Sequence, residues 1–308
     1  REGEAMVTGQ LGALRLERGR LEEARGPSEA ALAVFVEMGH RYREGVMLTN
    51  LSRLAMEQGR LDDAIGLAYQ ALELTEAIDD SEGVVASLHS LGDAQRLAGD
   101  LPAARDSLER ALQQSRSHPD FAYFLVHTLA SLAALALAED RVGDAVALAR
   151  EAVEVSATAD TPPATARAEL VAGMTLAAAG DPSAPARLRE AAALLEKLDR
   201  RADRLEALAV LAAALQDAGD AAGALGTVEE VLAELDAGTA PGIVEQGRVL
   251  VHAHRVLAAH GDPRAADVAR RAAAWVREQA GRIRDEDLRD RFGRTPVATE
   301  LAGLAGGR

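Results

Sequence analysis

"EQGRLDDAIGLAYQAL", residues 57–72, ends one helical pattern, breaks it at Gly59-Arg60 and starts another at Leu61. Nearly the same phrase returns along the chain. "ERGRLEEA" closes at Ala24, "LAGDLPAA" at Ala104, "AEDRVGDA" at Ala145 and "DAGDAAGA" at Ala224. With the break residue as a ruler, Gly19, Gly59, Gly99, Asp140, Gly180, Gly219 and Gly261 recur every 40 residues or so. A fixed period of about 20–50 residues is the signature of stacked repeats.

Other positions keep the same register. Five residues after the break stand Ala24, Ala64, Ala104, Ala145, Ala224 and Ala266, with Pro185 interrupting. Twelve after it stand Ala31, Ala71, Ala111, Ala152, Ala192 and Ala273, with Val231 the exception. Before the break come large-then-small pairs: Leu11-Gly12, Leu51-Ser52, Leu91-Gly92, Leu132-Ala133, Ala172-Gly173 and Leu211-Ala212. Such a pair lets two helices of a hairpin approach closely, and small residues seven apart keep a narrow stripe for the next repeat. Glycine at the break supplies a left-handed helix cap. Pro27 falls inside the second helix of repeat one, where a missing N–H predicts a kink or a division; Pro185 falls near a helix start.

The composition agrees. Ala, Leu, Arg and Glu favour helix throughout, and at 3% aromatic content the core is built from Ala, Leu and Val. A net charge of −15 argues against a phosphate-tracking surface, so no direct nucleic-acid binding is expected. The chain has no cysteine, which removes disulfides, thiolate metal sites and cysteine nucleophiles together. The apolar run 124–138 is read as too short to cross a bilayer and carries His127. No membrane association and a cytoplasmic location are the expectation.

The Leu-Gly pair, the break glycine and the two alanines fall at the relative spacing of tetratricopeptide repeats, which the chain resembles. That family's usual unit is about 34 residues, so this looks like its longer variety. The large aromatics of the family are mostly Leu or Ala here. HEAT and armadillo arrays share the period but have a different helix-turn pattern. The resemblance implies an all-α fold: a right-handed superhelical solenoid of about seven antiparallel helix-turn-helix repeats with a C-terminal capping helix. The solenoid is expected over 1–281, with repeats near 1–40, 41–80, 81–118, 119–160, 161–199, 200–239 and 240–281. Residues 282–308 are expected as cap and tail.

In the tail, "IRDEDLRDRF" (283–292) places Ile283, Asp285, Leu288, Arg289 and Phe292 as in a closing motif of long-repeat tetratricopeptide regions. Those regions occur in multidomain bacterial signalling proteins, behind a regulatory NTPase module. Gly293 stands where those proteins usually continue with leucine. Leu288 and Phe292, one helical turn apart, are expected to pack on repeat seven near Trp275. The first helix begins without an initiator Met or linker, so the sequence is expected to be a piece of a longer chain.

Chemistry is sparse. GxxxxGK[ST], GxSxG and HExxH are absent. His252 and His254, two apart, point to different sides of a helix. Asp62-Asp63 and Asp79-Asp80 are read as helix-start carboxylates. No catalytic residue, cofactor or metal is therefore expected, and the chain is read as no enzyme. In tetratricopeptide arrays the first helix of each hairpin lines a concave groove. Carried over by register, the resemblance implies partner-facing residues Thr49 and Arg53 in repeat two, and His89, Asp93 and Arg96 in repeat three. His127 follows in repeat four, Arg167 in five, Glu206 and Gln216 in six, Arg248 and Arg255 in seven. Repeat four, with Ala130, Ala134, Leu137 and Ala138, is expected as a hydrophobic floor. The arginines suit bidentate capture of a carboxylate or phosphate. The implied function is an interaction scaffold whose groove takes a peptide, a partner protein or another domain of the parent chain. An open groove would fit that reading; an enclosed pocket with convergent polar groups would fit a small-molecule sensor.

Overall fold

The computed structural model describes residues 1–159, 161–238 and 246–306; the expected repeat boundaries at 160/161 and 239/240 lie partly outside them. The described residues form helices and turns, with no strand among them. Seven antiparallel pairs follow one another. They are α1 (Glu2–Glu17) with α2 (Leu21–Glu37), α3 (Arg41–Glu57) with α4 (Leu61–Ala77), and α5 (Ser81–Leu97) with α6 (Leu101–Arg116). Next come α7 (Ala122–Ala138) with α8 (Val142–Ala159), α9 (Pro162–Ala178) with α10 (Ala184–Lys197), and α11 (Arg201–Asp217) with α12 (Ala221–Asp236). The last pair is α13 (Gln246–Ala259) with α14 (Arg264–Arg282), and α15 (Glu286–Gly293) and α16 (Pro296–Gly306) close the chain.

Every ruler residue, Gly19, Gly59, Gly99, Asp140, Gly180, Gly219 and Gly261, sits at φ between 58° and 82°. The first turn shows why. Arg20 N–H donates to Arg15 O at 2.8 Å and Gly19 N–H to Leu16 O at 2.9 Å. These paired bonds satisfy the last carbonyls of a helix only when the residue between them is left-handed. The bond from Arg60 to Ala55, and its counterparts in later repeats, repeat the device.

The alanine series holds at Ala24, Ala64, Ala104, Ala145 and Ala224, each without exposed surface. It fails at Ala266, which is exposed, and at Pro185, for one shared reason. Both breaks read Gly-Asp-Pro, at 180–182 and 261–263. The first helical turn then closes one residue early: Ala184 N–H reaches Asp181 O and Ala265 N–H reaches Asp262 O, against Ala64 to Arg60 elsewhere. The buried stripe moves one residue towards the N-terminus, to Ala184, Leu188 and Ala191 in α10 and to Ala269 and Ala272 in α14.

Within hairpins the small partner of each pair is a contact point. A Cβ added at Gly92 would lie 2.5 Å from Leu108 Cγ, and one at Gly173 would lie 2.7 Å from Leu188 Cγ. Ser52 occupies the same place and uses its hydroxyl to donate to Ala64 O at 2.8 Å. Pro27 does not divide its helix; α2 runs through it. The carbonyl that loses its helical donor belongs to Glu23, and Arg15 Nη1 donates to it instead at 2.9 Å. Residues 119–138 form a 20-residue segment whose best 18-residue window has a mean hydropathy of 1.9, long and apolar enough to cross a membrane. The apolar run 124–138 understates that length, because the helix extends it at its N-terminal end. In the fold this segment packs against α5, α6, α8 and α9 as the central core helix, with Val126, Leu129, Ala130 and Ala133 fully buried.

The tail departs most from expectation. Ile283 and Phe292 are buried with Leu61 and Ala98, at the turns of repeats two and three, with Trp275 and Leu288 packed alongside. Asp62 accepts from the backbone N–H groups of Arg284 at 2.8 Å and Asp285 at 3.2 Å. Asp63 pairs with Arg284, and Asp100 with Arg291. Arg282 Nη1 donates to Gln58 O at 2.5 Å. Asp62 and Asp63 thus stand in the first turn of α4, as expected, where Asp63 also pairs with Arg60 at 2.8 Å, and from there they hold the tail. Phe292 does meet Trp275, with ring centroids 6.3 Å apart, but repeats two and three form the other wall. The cap on repeat seven is α16, whose Leu301 is fully buried against α13 and α14. The solenoid therefore returns on itself, and the tail ties its seventh hairpin to its second and third.

Candidate functional site

The inside of the ring forms a partly open cavity of about 730 Å³, walled mainly by the first helix of each hairpin. A second chamber of about 410 Å³ adjoins it and shares Met56, Arg96, Leu97, Ala134, Met174 and Arg248. The larger chamber gathers the charged side chains. Thr49, Arg53, His89, Asp93 and Arg96 reach it from α3 and α5. His127, Arg167, Glu206 and Arg248 reach it from α7, α9, α11 and α13. The smaller chamber is apolar, with Leu137, Ala138, Ala177 and Val210 in its wall and Trp275, Phe292 and Val297 from the tail region. Of the predicted floor, Ala134, Leu137 and Ala138 line it, whereas Ala130 is buried in the core.

Two predicted residues lie away from the polar chamber. Gln216, at the end of α11, hydrogen-bonds His260 Nε2 at 2.6 Å. Arg255 is exposed, pairs with Asp217 at 2.8 Å and borders only the apolar chamber. Both sit nearer the C-terminal ends of their helices than Glu206 and Arg248 do.

Wall charges are largely matched. Arg96 Nε lies 3.4 Å from Asp93 Oδ1, Arg200 Nη2 2.8 Å from Asp203 Oδ2, and Arg248 Nη1 3.3 Å from Glu206 Oε1. Ser131 Oγ donates to Asp93 Oδ2 at 3.1 Å, and His89 Nε2 lies 3.1 Å from the same hydroxyl. Serine, histidine and aspartate meet here without forming a catalytic relay. A relay needs the carboxylate on the far nitrogen of the imidazole, whereas Asp93 and His89 Nε2 both face Ser131, which has no exposed surface. Among the described residues no three His, Asp or Glu side chains gather to hold a metal ion.

Burial sets the protonation states. It lowers the pKa of His89, with Asp93 opposing and Arg167 and Arg53 reinforcing. Burial lowers His127 further, helped by His89, Arg167, Arg53 and Arg200; its Nε2 has no hydrogen-bond partner, and its ring lies 4.5 Å from that of Tyr123. Both imidazoles are neutral at pH 7. Burial would raise Asp93, but His89, Arg96, Arg167 and the Ser131 hydroxyl hold it below the usual carboxylate range. Glu57 goes the other way. Burial and the Asp203 charge push its carboxyl up to about 8 against the pull of Arg53 and Arg200.

Sequence register does not single out Glu57, Arg200 and Asp203, though each lines the chamber. Glu57 stands one turn after Arg53, and Asp203 three residues before Glu206, so helical spacing alone points to both. Arg200 precedes α11 in a turn, where helix register gives no signal.

Residues 43–117 match the tetratricopeptide repeat family model. No curated protein matches the chain significantly. Among solved structures, a Rap protein complexed with Competence and Sporulation Factor is 13% identical with a TM-score of 0.57, over 99% of this chain and 100% of that one. Aspartyl phosphate phosphatase F from Bacillus subtilis is 12% identical at a TM-score of 0.57, over 95% and 78%. The apo form of RapI is 14% identical at 0.54, over 85% and 98%. At these identities the likeness is one of fold. Residues 43–117 thus carry the tetratricopeptide repeat pattern, and the chain as a whole has a tetratricopeptide-like solenoid fold of paired helices.

Proposed function

We propose that the chain is an interaction scaffold whose binding surface is the inside of the ring and whose occupant is a short peptide segment. The observation that carries this is the convergence of charged and polar side chains from six successive hairpins, α3 to α13, on one cavity that continues into an apolar chamber. Mixed charge beside an apolar chamber suits a segment with both polar groups and aliphatic side chains. A small metabolite is the second reading, favoured by the tail closing the apolar chamber. In either case occupancy is relayed to a partner protein or another domain of a longer, cytoplasmic bacterial signalling chain. The NTPase-linked parent belongs to this reading and rests on the tail motif. That motif also has internal work: Asp285 accepts from Leu288 N–H and Arg289 donates to Ile283 O.

Panning a random peptide library against the chain tests the reading. Enriched peptides are expected to lose binding when Ala134→Phe fills the junction of the chambers. Peptides that bind this variant as well as the parent would place the site elsewhere. Native mass spectrometry showing retention of non-peptidic molecules alone would favour the metabolite.

A further inference from the structure

The apolar chamber of about 410 Å³ stands across the seam of the ring. One part of its wall, Met56, Gly59, Leu61, Leu97 and Leu101, belongs to repeats two and three. Another part, Trp275, Gln279, Phe292 and Val297, belongs to α14 and the tail. The two parts meet directly. Phe292 is buried with Leu61 and Ala98, and its ring centroid lies 6.3 Å from that of Trp275. The turn glycines of repeats two and three are bare where the end of the chain arrives. A Cβ added at Gly59 would overlap the Gln279 side chain, and one at Gly99 would lie 2.6 Å from Arg291 O. At Gly180, Gly219 and Gly261 the same Cβ would meet open space. The chamber wall is therefore complete only while the seam is shut.

The third part of the wall is alanine. Ala134 and Ala138 on α7, Ala177 and Ala178 on α9, and Ala213 and Ala214 on α11 line it, and leucines there would fill the space. The charged groups of the wall are already matched: Arg96 with Asp93, Arg248 with Glu206 and Arg255 with Asp217. Asp140, the remaining carboxylate, is exposed to solvent. Burial, reinforced by Arg248 and Arg255, pulls the pKa of His252 down to about 4 and leaves it neutral at pH 7. An apolar space with no unmatched buried charge disfavours an ionised occupant and suits a hydrocarbon one.

Resting on the inside of the ring as the binding surface, we infer that this chamber is a subsite for a neutral hydrocarbon body whose presence holds the ring closed. An occupant that touches both sides of the seam binds the closed ring in preference to the open one. It therefore stabilises closure, and closure raises its affinity by the same factor. The tail is the element whose position reports occupancy.

The test titrates N-phenyl-1-naphthylamine, a neutral dye that fluoresces in apolar surroundings, into the intact chain. Decan-1-ol, decanoate and acetyl-trileucine amide then compete for its place. Decan-1-ol is expected to displace the dye at a concentration about tenfold lower than decanoate. Displacement by the tripeptide amide as well assigns the hydrocarbon body to the side chains of a peptide; displacement by decan-1-ol alone assigns it to a small molecule. Ala177→Phe and, as a smaller plug, Ala138→Leu are expected to weaken dye binding about tenfold or more. Ala86→Phe, in the larger chamber only, leaves it unchanged. Ile283→Ala with Arg291→Gln loosens the seam at residues outside the chamber wall. This pair is expected to weaken the dye about tenfold, and in the parent chain the dye should slow hydrogen exchange across 283–292. Circular dichroism checks helix content in every variant. No dye binding, or binding that both plugs leave intact, overturns the subsite; library peptides still sensitive to Ala134→Phe would leave the cavity reading standing. Displacement by decanoate at the lower concentration overturns the neutral class. Unchanged affinity in the seam variant, with unchanged exchange in the tail, overturns the coupling to closure.

Discussion

Consecutive hairpins are joined by alanine and leucine, whereas the tail is joined to repeats two and three mainly by arginine and aspartate. Between repeats two and three, Leu72, Leu88 and Leu91 lie within one apolar cluster with Ala68 and Ala111. At the closing seam, Ile283 and Phe292 are buried with Leu61 and Ala98 and flanked by half-buried Met56, Leu97, Trp275 and Leu288, and Asp62, Asp63 and Asp100 face the tail's backbone and its arginines around this centre. Apolar burial of this kind is worth about 1.5–3 kcal/mol per large side chain, while exposed ion pairs are worth about 0–1 kcal/mol each. The first seam is part of the fold. The second adds exposed ion pairs to its apolar centre and joins segments more than 180 residues apart, as Asp100 and Arg291 show, 191 apart in sequence. A ring built this way opens at the tail before it unfolds.

The largest effect is expected at an internal seam. Leu88 is 1% exposed, and Leu88→Ala should cost about 2–5 kcal/mol, read as a fall in the denaturant midpoint. At the closing seam, Phe292→Ala should reduce the free energy of closure by about 3 kcal/mol. The global denaturant midpoint should change less than for Leu88→Ala, while small-angle scattering shows a larger radius at unchanged helicity. Equal effects on the midpoint would erase the distinction between the seams.

The interior adds a pH handle. Glu57 is raised from its ordinary value of 4.5 to about 8, with Asp203, Arg53, Arg200 and Glu206 facing it. Its proton stays on in the folded state and leaves in the unfolded state. Stability is therefore full below about pH 4.5 and declines as pH rises towards 8. A tenfold difference in proton affinity between the two states is worth about 1.4 kcal/mol. Glu57→Gln should raise the melting temperature at pH 8.5 and leave it unchanged at pH 4; a pH-independent difference would remove Glu57 from this role. The smallest effect belongs to the rim. Arg291→Ala should cost less than about 1 kcal/mol, and 1 M salt should mask most of it. A salt-insensitive loss would mean that the pair is buried.

The repeats were legible because each break needs a left-handed residue and each hairpin a small one, demands that recur at fixed spacing in one sequence. The one-residue shift after Asp181-Pro182 and Asp262-Pro263 was hidden by counting alone, since it comes from a tighter first turn. Inward residues such as Arg53, His127 and Arg167 followed from helix register. Gln216 and Arg255 did not, because the ends of those helices pass the cavity. Least legible was the tail. Asp62 and Asp63 look like ordinary helix-start acids, and no local pattern records a partner found more than 200 residues later.

Because the chain has no native cysteine, paired spin labels test ring closure most directly. Gln70→Cys on α4 and Glu286→Cys on α15 are exposed positions outside the closing contacts. Electron–electron distance measurement should give one short, narrow distribution in the intact chain, broadening when Ile283→Ala and Phe292→Ala are combined. A long, broad distribution in the unmodified tail background would contradict a ring closed on repeats two and three.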